Sequence, residues 1–226
     1  MSLVEIVAAI FGFLSVWFYI VRNPASWPTG LVQVLLLWSV FWNAKLYADF
    51  GLHVLYAILQ IYGWWAWIRD RKGNGIARED GNSFIDDAPF DGSPKSSDSP
   101  IQDGVRVRSL DRAGLAGCLL AVPILTAIFA SLLIRYTDAA SPIWDSFIAA
   151  ASIIAQCLLA ARYVENWRFW IAVDIVGIGL FAYKELYPTA MLYILFLVMA
   201  IWGDFAWRKT LRQMTSTKIM LREESK

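Results

Sequence analysis

The stretch Leu46–Trp67, LYADFGLHVLYAILQIYGWWAW, decides how the chain is read. It is long and apolar enough to cross a bilayer, which takes about 20 residues. Yet it carries Asp49, His53, Tyr56 and Gln60. At about 100° per residue, steps of 4, 3 and 4 place all four within an arc of roughly 60°. A greasy helix with one polar stripe needs a polar neighbour or water along that stripe. The plain reading is a helix–helix hydrogen-bond seam, at about 0.6 kcal/mol per bond. Such seams rarely combine an acid with a histidine, so the stripe is read as the wall of a site, with Asp49 near its outer mouth.

The rest of the chain fits that reading. Its 226 residues are 58% apolar, with a mean hydropathy of +0.49. This is greasier than a soluble domain of that length. Seven spans are predicted: Leu3–Val21, Pro28–Trp42, Leu46–Trp67, Ala113–Ile134, Ile143–Ala161, Trp167–Tyr183 and Tyr187–Trp207. The fold class is therefore an all-α membrane protein with seven transmembrane helices. No basic n-region and cleavage site frame the first span, which is read as retained. All but three of the 20 Lys and Arg fall on odd-numbered connections and the C-terminal segment; Lys45, Arg135 and Lys184 are the exceptions. The positive-inside rule puts the N-terminus outside and the C-terminus in the cytoplasm. The segment 70–111, rich in Gly, Ser, Pro and Asp, is read as a disordered cytoplasmic loop. Cys118 and Cys157 lie in apolar runs and are read as small core fillers. No metal cluster, ATP-binding loop or nucleic-acid tract appears, so no cofactor is expected, and the chain is not read as an enzyme.

A repeat organises the spans. Arg22 and Arg162, Trp27 and Trp167, Tyr47 and Tyr187, Gly63 and Gly203, and Trp67 and Trp207 all stand 140 residues apart. A constant offset over so many pairs marks two copies. Three spans alone would invert the second copy, and the fourth restores its direction. The predicted layout is a parallel 3+1+3: a first repeat at 1–69, a linker helix at 112–135, a second repeat at 141–210, and a cytoplasmic tail at 211–226. Parallel-repeat transporters bind substrate between their halves near the midplane.

The motifs WPTG, LYAD, IYGWWAW, WDS, RYVENWRFW and KELYPTAMLY together resemble the PnuC family of vitamin-precursor transporters. The resemblance covers nearly every span and leaves out the long loop. It implies a SWEET-like fold and uptake of nicotinamide riboside by facilitated diffusion across the bacterial inner membrane. It further implies trapping of the substrate by a cytoplasmic kinase. Relatives of this kind also carry thiamine or riboflavin. Many nicotinamide riboside transporters of the family have Asn where Asp174 stands and Gln where His53 stands.

In the sixth span, Trp167, Trp170 and Asp174 share a face. A flat cationic ring between indoles and near a carboxylate gains cation–π attraction and charge pairing. The alternatives are an interfacial belt role for Trp167 and an Asp174 that packs on Tyr193 or Gln156. Gln156 in span five is a deep amide that wants a partner, and Tyr193 occupies the place of His53 in the second copy. Asp145 opens span five and is read as a cap or a partner of the helix dipole. With no Lys or Arg in mid-span, a dephosphorylated substrate is favoured over its nucleotide. The expected partners are a small cationic heteroaromatic substrate and the lipid bilayer, with a homo-oligomer left open. A membrane enzyme or receptor-like protein using Asp49, His53 and Asp174 is the alternative from another class.

Overall fold

The computed structural model describes residues 3–43, 53–70, 105–137 and 140–224. Seven helices run through them: α1 Leu3–Ile20, α2 Ser26–Asn43, α3 over 53–70, α4 Arg112–Tyr136, α5 Pro142–Ala160, α6 Asn166–Tyr183 and α7 Tyr187–Glu224. Asp49 and most of the long loop lie outside the described residues.

Apolar side chains face outward in long stripes. Leu119, Ile124, Ile128 and Leu132 on α4 are exposed, as are Ile58 and Ile61 on α3 and Met191, Val198 and Phe205 on α7. Water would not tolerate so much contiguous apolar surface, whereas lipid does. By length and hydropathy three segments qualify as bilayer spans: Arg112–Tyr136, Pro142–Ala160 and Tyr187–Ser216. α5 is the most buried of these and α4 the least. α4 packs on α5, α5 on α6, α6 on α7, and α7 on α1, which also packs on α2.

The connections follow local chemistry. Asp111 caps α4, its Oδ1 accepting from Gly114 N at 3.0 Å, and Pro142 opens α5, where a missing N–H costs nothing. The α1–α2 and α5–α6 turns are built alike, 140 residues apart. Arg22 and Arg162 both take positive φ, 58° and 66°. Asn23 N donates to Phe18 O, and Tyr163 N to Leu158 O, each at 2.9 Å.

Three expectations change. Residues 105–111 belong to the folded body: Val105 and Val107 are buried. Arg108 bridges the α5–α6 turn through Arg108 N to Arg162 O and Val164 N to Arg108 O, both 2.9 Å. Glu165 holds the segment further, accepting from Ser109 Oγ at 2.8 Å and Leu110 N at 3.0 Å. Two alternating valines suffice to dock so short a piece. The last helix does not stop at Trp207; it continues to Glu224, because good helix formers follow where the apolar run ends. Cys157 is exposed rather than a core filler.

The ends of the bundle differ in charge. Arg162 pairs with Asp70 at 3.1 Å, near Arg69 and Arg108. The far end of α5 instead carries an ion pair between Asp145 and Lys184, at 2.9 Å. Asp145 lies in the first turn of its helix, as expected, and its main partner is that lysine.

Candidate functional site

Four tryptophans form a floor between the helices. Trp27, Trp67, Trp167 and Trp207 are all at most 2% exposed. Trp27 meets Trp67 edge-on at 5.4 Å, Trp67 meets Trp207 at 6.1 Å, and Trp207 meets Trp167 edge-on at 5.6 Å. Glycines make the room: a Cβ on Gly63 would collide with the Trp27 ring, and one on Gly203 with the Trp167 ring. Two of the indoles strap one set of helices to the other. Trp67 Nε1 on α3 donates to Leu159 O at the end of α5, at 3.3 Å. Trp207 Nε1 on α7 donates to Tyr19 O and Ile20 O at the end of α1, at 3.0 and 3.2 Å. Tyr19 and Leu159 are themselves 140 residues apart.

Above the floor lies a polar layer. The Tyr19 ring rests edge-on against Trp27 at 5.0 Å. Its hydroxyl donates to Gln60 Oε1 at 2.8 Å and also lies beside Gln156 and Ser15. Gly30 lets Gln60 approach: a Cβ there would strike the Gln60 amide and the Ser15 hydroxyl. Gln156 is buried, and beyond its proximity to the Tyr19 hydroxyl its Nε2 makes no hydrogen bond of good geometry among the described residues. One turn further on, Tyr56 lies beside Ser152, and Tyr193 lies within electrostatic reach of both Tyr56 and Asp174. Gly177 opens the face of α6 on which the Tyr193 ring lies. His53 stands edge-on to Tyr56, with ring centroids 6.0 Å apart. Asp174 is only 4% exposed, and no hydrogen bond or ion pair to its carboxylate is present among the described residues. A buried carboxyl left so takes up a proton unless something positive joins it.

The structure thus brings together Tyr56, Gln60, Gln156, Asp174 and Tyr193 from α3, α5, α6 and α7, with His53 beside Tyr56. Trp170 is half-buried one turn before Asp174 and packs against the buried residues around α5. Trp167 belongs to the floor; at 2% exposed it is a packed indole rather than an interfacial belt residue. Asp49 lies outside the described residues. Sequence reasoning passed over Tyr19 and Ser15. The signal was present: a hydroxyl pair at i, i+4 on one face of an otherwise apolar helix. Among the described residues no three His, Cys, Asp or Glu side chains converge as a metal would need.

Comparison with known proteins agrees with this architecture. The chain is 26% identical over 218 residues to the nicotinamide riboside transporter PnuC of Escherichia coli (strain K12), covering 94% of this chain and 88% of that one. It is 22% identical over 204 residues to the riboflavin/roseoflavin transporter RibM of Streptomyces davaonensis, covering 90% and 83%. The crystal structure of the vitamin B3 transporter PnuC superposes with a TM-score of 0.68 at 23% identity, over 93% of this chain and 82% of that one. Residues 2–209 match the family described as nicotinamide mononucleotide transporter, and the chain belongs to that membrane-transporter family.

Proposed function

We propose that this protein takes up nicotinamide riboside by facilitated diffusion, and that a cytoplasmic kinase then traps it by phosphorylation. The observation that carries the reading is the buried Asp174 carboxyl, without a hydrogen-bond partner among the described residues, one turn from Trp170 and within reach of Tyr193. A fixed positive pyridinium ring satisfies that carboxylate and stacks on an indole. Gln60, Gln156, Tyr56 and His53 offer hydrogen bonds to ribose hydroxyls and the carboxamide, with Trp167 in the floor and Asp49 at the mouth. The names of the relatives support the same substrate. Thiamine is the second reading, because its thiazolium also carries a fixed charge. Riboflavin, the substrate named for RibM, has a neutral ring and leaves Asp174 without a counter-charge.

In this reading all seven helices cross the bacterial inner membrane, N-terminus outside and C-terminus inside, with two parallel halves joined by α4. The alike turns at Arg22 and Arg162 support the halves. The arginines around Asp70 and Arg162 support the orientation. The test is flux of labelled nicotinamide riboside into liposomes holding the purified chain. The reading requires internal label to level off at the external concentration. No flux, or conversion of the label into a new compound, refutes it.

A further inference from the structure

A cavity lies between the end of α3 and the α5–α6 turn. It measures about 420 Å³ and is lined by Tyr62, Ala66, Arg69 and Asp70 of α3, by Ala160–Tyr163 of the α5–α6 turn, and by Arg108. Its α3 residues are not those of the polar layer: Tyr62, Ala66 and Arg69 project away from the Gln60 side of the helix, about 180–240° around it at 100° per residue. Among the described residues three arginines and one carboxylate line it, with the Arg69 guanidinium stacked over the Trp65 ring at 4.2 Å. Asp70 binds Arg162 Nη1 at 3.1 Å, which leaves an excess of positive charge.

Arg162 is held in place. Its backbone is in the left-handed region, its side chain is 12% exposed, and its Nε is buried without a hydrogen-bond partner among the described residues. Burial lowers its pKa, and neighbouring Arg108 and Arg69 lower it further, against the opposing effect of Asp70. Like charges gathered in a partly dry pocket are unfavourable until an anion joins them. Guanidinium forks match phosphate oxygens two at a time. The volume holds more than a bare anion. Exposed Tyr62, with Ile58 and Ile61 further along α3, places the cavity beside lipid at the level where aromatic residues meet headgroups. Basic pockets between membrane helices are suited to such headgroups.

We propose that the pocket of Arg69, Arg108 and Arg162 binds a phosphate group, carried by an anionic lipid headgroup or by a soluble phosphate monoester. The test uses the full chain in uncharged detergent. Binding is followed by thermal shift in two arms: phosphatidylglycerol against phosphatidylcholine of the same acyl chains, and glycerol phosphate with inorganic phosphate. Arg69→Gln and Arg108→Gln are the variants, since both side chains are exposed. Arg168→Gln, exposed at the same end of the bundle, is the control. One arm should saturate, and each pocket variant should weaken it about tenfold, as expected for one charge-assisted hydrogen bond. Arg168→Gln should leave it unchanged. Saturation only with phosphatidylglycerol identifies the headgroup; saturation with the soluble phosphates identifies the monoester. The proposal fails if neither arm saturates, if the pocket variants bind as the parent does, or if Arg168→Gln loses as much.

Discussion

Replacing Asp174 with Asn keeps the side chain's shape and removes its charge. The carboxylate is 4% exposed and has no hydrogen-bond partner among the described residues, so a cationic ring would be its principal counter-charge. At an effective dielectric near 20, two charges about 4 Å apart attract by roughly 4 kcal/mol. Desolvation of both takes back part of that, leaving a net gain of about 1–3 kcal/mol. We predict that Asp174→Asn weakens binding of nicotinamide riboside by about 5- to 150-fold. The reduced riboside, whose ring is uncharged, should bind nearly as it does to the parent. Trp170→Ala should weaken both, because stacking area is lost with either ring. Isothermal titration of both ligands against the three proteins makes the comparison. An equal loss for both ligands in Asp174→Asn would refute the charge argument and leave Asp174 as a packing residue. If thiamine binds and neither riboside does, the charge argument survives and the substrate changes.

Four further outcomes are expected. Gly203→Ala places a Cβ 2.6 Å from Trp167 Cε2; we predict a loss of about 1–3 kcal/mol, read as a lower melting temperature in detergent, and an unchanged melting temperature would show the floor to be loosely packed. Tyr19→Phe removes the donor to Gln60 Oε1 and should weaken substrate about fivefold, the effect of one net hydrogen bond; equal affinity would mark Tyr19 as purely structural. A short Gly/Ser linker in place of Asn74–Ser99 should keep transport, on composition alone, provided Val105 and Val107 remain; loss of flux at normal expression would give that segment a role in transport. Flux in liposomes should be indifferent to ATP and sodium, and accumulation driven by an imposed pH gradient would instead point to proton coupling through His53 and Asp49.

Helix positions were legible in the sequence because hydropathy reports them directly. The start of α4 at Arg112 and the start of α6 at Asn166 fall within one residue of the predicted spans. The polar stripe was legible too: Tyr56 and Gln60 stand out against an apolar background. What hydropathy does not report is which apolar face meets lipid and which meets protein, since both surroundings are equally greasy. Trp167 therefore read as a belt or site residue, and only packing reveals it edge-on to Trp207. Tyr19 was hidden for the same reason, as an aromatic ring in an apolar helix. The docking of 105–111 depends on two valines and Glu165, distant in sequence, and a window of composition that includes the polar loop averages them away.

The crossed straps have a mechanical consequence. Trp67 ties α3 to the end of α5, and Trp207 ties α7 to the end of α1. The two indoles lie side by side, 6.1 Å apart, like two bolts set close together on the same hatch. Drawing one bolt yields no aperture, because the other still clamps both leaves. A path through this end of the bundle would therefore appear only when both indoles let go, and because their rings touch, the release of one bears on the release of the other. Weakening either bolt alone should raise traffic, and weakening both should depart from the product of the separate effects, the departure measuring how far the two indoles act as one latch.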